Sequence, residues 1–138
     1  MIRRVFLVFL LFGIVGCGSV DVTDPGSVAG TYPLRTLNGD ELPAVLLQVG
    51  TTFLLEITAG SLTLNADQTC SITLTLRETE DGTVTTAPET AVCTYTLNSG
   101  AIALDLTGSD FQDTLGGVIS GSTITITDDE GEVFVFKK

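Results

Sequence analysis

Cys70-Ser-Ile-Thr-Leu-Thr-Leu-Arg-Glu-Thr-Glu-Asp81-Gly82-Thr-Val-Thr-Thr-Ala-Pro-Glu-Thr-Ala-Val-Cys93 is the stretch whose reading decides the fold. Ile72, Leu74 and Leu76 alternate with Ser71, Thr73 and Thr75. A period of two puts apolar side chains on one face of a strand and hydroxyls on the other. Asp81-Gly82 is a residue pair favoured in two-residue hairpin turns, where both positions need positive φ. Folding the chain about that pair sets Glu80 opposite Thr83 and, counting back, Cys70 opposite Cys93. Because a slip of one residue would turn the apolar set outward, the register is well specified. The two cysteines then lie on the inner face, in line with Ile72, Leu74 and Leu76 on one strand and Tyr95 and Leu97 on the other.

Outward from this hairpin the alternation continues in Ser61-Leu-Thr-Leu64, Thr94-Tyr-Thr-Leu97, Ala101-Ile-Ala-Leu-Asp-Leu106 and Thr123-Ile-Thr-Ile-Thr127. Turn chemistry separates these runs at Asn38-Gly39, Asn65-Ala-Asp67, Asn98-Ser99, Ser120-Gly121 and Asp129-Glu-Gly131. The pattern predicts an all-β antiparallel meander. A turn at Asn98-Ser99 would set Tyr95 opposite Ile102 and Cys93 opposite Leu104, and one at Ser120-Gly121 would set Leu115 opposite Ile126. A three-residue loop ending at Gly131 would set Ile126 opposite Phe134 and Ile124 opposite Phe136, with both phenylalanines inward. The apolar parity changes between Phe53, Leu55, Ile57 and Leu62, Leu64. A bulge near Ala59-Gly60 is therefore expected, which would curl the sheet toward closure into a barrel. Val45-Leu-Leu47, apolar on both faces, is expected to be a buried strand.

The N-terminus has a different character. Arg3 and Arg4 precede Val5–Val15, a run free of charge and proline. Such an order marks a secretory signal, here a short helix, and eleven helical residues at ~1.5 Å each are too few for a ~30 Å hydrocarbon core. Ile14-Val15-Gly16-Cys17 resembles the lipobox of bacterial lipoproteins. The resemblance implies a signal peptide over residues 1–16, cleavage before Cys17, and acyl chains of the palmitate kind on Cys17, its thiol carrying a diacylglyceryl group. Multiple chains make such an anchor stable. Gly18-Ser19 lacks the Asp associated with inner-membrane retention, so the outer membrane is favoured where the cell has one. Residues 17–29, rich in Gly, Pro, Ser and Asp, are expected to be a flexible tether, followed by one barrel domain over 30–138.

Composition narrows the chemistry. The net charge is −11, and loss of Arg3 and Arg4 with the leader would make it more negative. This argues against nucleic acid and anionic lipid as partners. With Cys17 carrying lipid, Cys70 and Cys93 remain as an even pair in an oxidising compartment, which predicts a disulfide between them. There is no His and no Trp. The commonest general base and metal ligand are thereby missing, and no metal, cofactor or catalytic residue is assigned. Acidic residues gather at Asp128-Asp-Glu-Gly-Glu132 and at Asp110 with Asp113, all at turn positions where they are expected on structural grounds.

Gly30-Thr31-Tyr32 resembles the Gly-x-Trp opening of lipocalins and of lipocalin-like domains in bacterial lipoproteins, with Tyr32 in the place of the Trp. Similar domains carry a hairpin of the form Leu34 to Asn38-Gly39 to Leu42-Pro43. They also have a turn like Asn65-Ala-Asp67, with Gln68 here where Gly is usual, and a closing strand like Phe134-Val-Phe136. No Arg near the end matches the one that packs over the Trp in lipocalins. The resemblance implies an up-and-down barrel of about eight strands, with an interior either filled or able to hold one small ligand.

Two functions stay open. One is a small apolar ligand held among the inward aromatics Tyr32, Phe53, Tyr95, Phe134 and Phe136. The alternative is a structural or protein-interaction module, of the protease-inhibitor-like barrel kind, with contacts through Asp81–Pro88 or Leu42–Thr52. A non-enzymatic monomer, joined to the membrane through its N-terminal lipid, is expected in either case.

Overall fold

A computed structural model describes residues 23–107 and 113–138. The leader, Cys17 and Asp110 lie outside the described residues. One turn of helix, α1 (Pro25–Val28), is followed by ten strands. These are β1 (Gly30–Leu37), β2 (Asp40–Glu41), β3 (Ala44–Val49), β4 (Phe53–Leu64), β5 (Thr69–Glu80), β6 (Thr83–Asn98), β7 (Ala101–Asp105), β8 (Thr114–Ser120), β9 (Thr123–Thr127) and β10 (Val133–Lys137). Every pairing is antiparallel, and the sheet runs β2-β1-β10-β9-β8-β7-β6-β5-β4-β3, with a further β1–β4 pairing. That last pairing closes β1, β10, β9, β8, β7, β6, β5 and β4 into an up-and-down barrel of eight strands, as the meander pattern and the resemblance predict.

Closure is short. Gly30–Pro33 pair with Leu64–Ser61, while the second half of β1 pairs with β10 on one edge and β2 on the other. The first half of β4 pairs instead with β3. On the opposite flank β7 pairs with β6 only over Thr94–Asn98, so from Cys93 back to Thr83 β6 is paired with β5 and not with β7. The far halves of β4, β5 and β6, with β3, therefore stand beyond the barrel rim as a four-stranded overhang. Its tip is tied where the Asp81 amide donates to the Thr52 carbonyl at 2.8 Å.

The β5–β6 hairpin has the expected register throughout, from Glu80↔Thr83 to Cys70↔Cys93, and the two cysteines form a buried disulfide with Cα atoms 4.8 Å apart. Asp81 and Gly82 both take positive φ, as the hairpin turn requires. The bulge falls at Thr58, between Ile57↔Leu76 and Ala59↔Thr75, and the Thr58 hydroxyl fills the gap by donating to the Thr75 carbonyl. Ile126↔Phe134 and Ile124↔Phe136 are also as expected.

Two registers differ from expectation. Tyr95 faces Leu104, not Ile102, because the turn is Ser99-Gly100, both at positive φ, and not Asn98-Ser99. Gly117, not Leu115, faces Ile126, because the turn is Gly121-Ser122. In both cases a left-handed glycine moves the turn by one residue and the register by two. A two-residue slip preserves parity, so the inward set is unchanged. The expectation of a buried Val45–Leu47 is also corrected. β3 is the outermost strand of the overhang, and Val45, Leu47 and Val49 are 51%, 49% and 56% exposed.

Residues 25–28 are not tether. Asp24 caps α1, its carboxylate accepting from the Gly26 amide at 3.0 Å, and Val28 enters the core. The folded domain thus begins before Gly30. Outward threonines pair across strands, with hydroxyl oxygens 3.0 Å apart for Thr73 and Thr90 and 3.1 Å apart for Thr31 and Thr63.

Inside, glycine makes room for bulk. A Cβ on Gly117, which sits between Ile102 and Ile126, would collide with the Thr125 carbonyl oxygen, whereas one on neighbouring Gly116 meets nothing within 4 Å. Gly117→Ala is expected to cost about 1–3 kcal/mol in denaturant unfolding, and Gly116→Ala to be near neutral.

Candidate functional site

The two ends of the barrel are built differently. At one end α1 and the turn Asn65–Gln68 cover the opening, and two tyrosines hold them there. Tyr32 donates to the Val28 carbonyl at 2.6 Å and Tyr95 to the Asn65 carbonyl at 2.5 Å, with Pro25 O a further 3.4 Å acceptor. Both rings are buried. Burial is the first reason the Tyr95 phenol is raised above its usual value, with the nearby Asp67 carboxylate second. Lys138 places its ammonium 4.5 Å from the centre of the Tyr32 ring. A cation therefore stands over the Tyr32 ring. It is a lysine at the C-terminus, a position the strand pattern does not single out.

At the other end the described residues include no such cover. There lies a cavity of about 140 Å³ lined by Ile72, Leu74, Ala91, Leu106, Leu115, Ile126, Phe134 and Phe136, with Glu89 as the one charged residue among the described lining residues. It is bounded by β5 and β6 on one side and by β8, β9 and β10 on the other. It sits beside the part of β6 that continues past the last β7 pair. The volume resembles that of apolar cavities of about 150 Å³ that stay dry and admit a benzene-sized molecule.

Of the five aromatics expected to line a ligand site, Phe134 and Phe136 line this cavity. Tyr32 and Tyr95 belong to the plug at the opposite end, where their hydroxyls need carbonyl partners. Phe53 is half-buried on the overhang, opposite Glu80 and Val49. Glu89 was missed, although a signal for it exists. Under the Asp81-Gly82 register its partner is Leu74, an inward residue, so its position on the inner face was legible.

The acidic turns serve structure. Asp128 accepts from the Glu130 and Glu132 amides at 3.0 and 2.8 Å, closing the loop between β9 and β10. Asp67 accepts from the Thr69 amide at 3.0 Å and Asp105 from the Thr107 amide at 2.9 Å. The threonine hydroxyls, then these amides, hold both carboxyls below their usual range. Burial, followed by the Asp128 and Glu130 charges, raises Glu132. Among the described residues no cluster of three or more His, Cys, Asp or Glu could hold a metal ion, and no helix is long and apolar enough to cross a membrane.

A scan against protein-family models, a search of curated proteins and a search of solved structures each found no match. The geometry of the barrel and its cavity therefore carries the functional argument.

The plug makes a pH prediction. Because the folded state raises the Tyr95 pKa, the stabilisation from its proton is complete below the unfolded value of about 10 and is lost as pH rises through the folded value. Thermal unfolding across pH 8 to 12 should show a steeper alkaline fall in Tm for the native chain than for Tyr95→Phe. At pH 7 the substitution should cost about 1 kcal/mol.

Proposed function

We propose that this chain is a lipoprotein of the cell envelope, anchored through lipid on Cys17, whose lipocalin-like barrel binds a small apolar ligand in the cavity of its open end. The observation that carries the ligand reading is the cavity itself: an interior space of about 140 Å³, walled by eight apolar side chains and open to solvent at one side. An eight-stranded barrel built only for stability has an interior of the size that side chains fill. Here, among the described residues, side chains fill and plug the far end and leave the cavity at the near one. Pre-formed apolar concavity with one polar group at its margin is the usual character of small-molecule sites.

The anchor rests on the sequence alone. The order of Arg3-Arg4, the apolar run and Ile14-Val15-Gly16-Cys17 supports it. With α1 packed against the barrel, the tether would be confined to the residues between Cys17 and Asp24, holding the plugged end toward the membrane and the open mouth away from it. The outer membrane is the destination this reading favours where one exists.

A second reading, a protein-interaction module, is favoured by a separate observation. Both segments named for that role from sequence, Asp81–Pro88 and Leu42–Thr52, belong to the overhang and touch at its tip through Asp81 and Thr52. Otherwise they lie on its two edges, where Val84 on one and Val45, Leu47 and Val49 on the other are exposed.

Two measurements test the reading. Native mass spectrometry of the protein extracted from expressing cells should detect a co-purifying small molecule that Ile126→Trp, which fills the cavity, releases. Labelled palmitate should be incorporated by the native chain and not by Cys17→Ala. Binding that survives Ile126→Trp would place the ligand elsewhere, and labelling that survives Cys17→Ala would remove the lipoprotein assignment.

A further inference from the structure

The cavity has an electrostatic character that its apolar walls do not dictate. Glu89 lies on its rim, on the inner face of β6 opposite Leu74, and carries the only charge among the described lining residues. The four cationic side chains of the described residues all lie elsewhere. Lys138 is over Tyr32 at the plugged end. Arg35 donates to the Lys137 carbonyl at 3.0 Å, on the outer wall of β1 and β10, where Lys137 also lies. Arg77 pairs with Glu56 at 2.7 Å, on the face of the overhang turned away from Leu74 and Leu76.

The surroundings of the mouth are acidic. The loop that joins the cavity-lining strands β9 and β10 brings Asp128, Asp129, Glu130 and Glu132. The overhang adds Glu78 and Glu80 on the same face as Leu76. An anionic head group arriving here would meet like charge from two sides, with no cation to answer it. A cationic head would find Glu89 next to the cavity and a negative field over the entrance.

We propose that the cavity takes a cationic amphiphile, an apolar chain or ring bearing an ammonium head, with Glu89 as the counter-charge at its rim. The inference rests on the reading of the cavity as a ligand site and adds the class of ligand. The apolar part enters between Ile72, Leu74, Ile126 and Phe134, where water has few partners to lose, while the head stays at the rim and keeps most of its hydration. A fully desolvated ammonium would be costly, and the rim position of Glu89 avoids that cost. Fatty carboxylates and anionic lipids are disfavoured by the same geometry.

The experiment compares three heads on one tail: octylammonium, octanol and octanoate, each below its aggregation range at pH 7. The full chain, held by its N-terminus in phosphatidylcholine nanodiscs, carries labelled isoleucine methyl groups, and the shifts of Ile72 and Ile126 report occupancy of the cavity apart from partition into the bilayer. Octylammonium is expected to bind about fivefold or more tightly than octanoate, with octanol between, a margin fitting a solvent-exposed ion pair and its repulsive counterpart. Glu89→Gln should bring octylammonium and octanol to within about twofold, as should 0.5 M salt for the native chain, since screening weakens exposed pairs. Octanoate binding as tightly as octylammonium, or a preference unchanged by Glu89→Gln, would overturn the proposal and leave the cavity as a ligand site. No shift of Ile72 or Ile126 with any of the three would overturn both.

Discussion

Four residues at the start of β1 and four at the end of β4 decide what kind of molecule this is. Without the ladder between Gly30–Pro33 and Leu64–Ser61, the ten strands would form an open twisted sheet with one oily face in water. With it, the inward residues of eight strands share one interior, and Tyr32, Leu62 and Leu64 become fully buried. The ladder is possible because the bulge at Thr58 re-aims β4. Before the bulge β4 pairs with β3 along the overhang, and after it with β1 around the barrel. One unpaired residue thus separates the part of the sheet that encloses from the part that projects.

That division gives the molecule a direction. The end reached first by the chain is sealed, since α1 and the Asn65–Gln68 turn are pinned by two phenols whose only acceptors are main-chain carbonyls. At the other end the described residues surround an apolar space, beside the stretch of β6 that outruns the β7 ladder. Lys137 and Lys138 lie at the sealed end together with Asp24 and Asp67, and the acidic β9–β10 loop lies at the other. In the proposed reading a lipid anchor lies next to the seal and a ligand enters opposite it.

Much of this was legible in the residues because period-two patterning and turn chemistry are local. Asp81-Gly82 fixes a twelve-pair ladder and the disulfide with it, and the parity change along β4 places the bulge to within a residue or two. The turns near Ser99 and Gly121 were placed one residue early, because two adjacent small or polar residues offered competing frames and the left-handed glycine decided between them. Gln68 shows the limit of residue preference, since it takes φ 68°, a conformation glycine adopts more readily, under the constraint of the surrounding turn. The site was only half legible. Phe134 and Phe136 follow from hairpin parity, but which end of the barrel is filled depends on where α1 packs. A four-residue helix carries no periodic signal, and without it Tyr32 and Tyr95 could not be distinguished from ligand-lining aromatics.

The account stands on the closure of β1 against β4, and cross-strand nuclear Overhauser contacts measure that pairing directly. Backbone proton contacts between Thr31 and Thr63 and between Tyr32 and Leu62, with slow amide exchange across both segments, are the expected result. Fast exchange over Ser61–Leu64 with β1 in contact only with β10 would describe an open sheet, and would remove the interior from which the cavity, the plug and the proposed ligand site all follow.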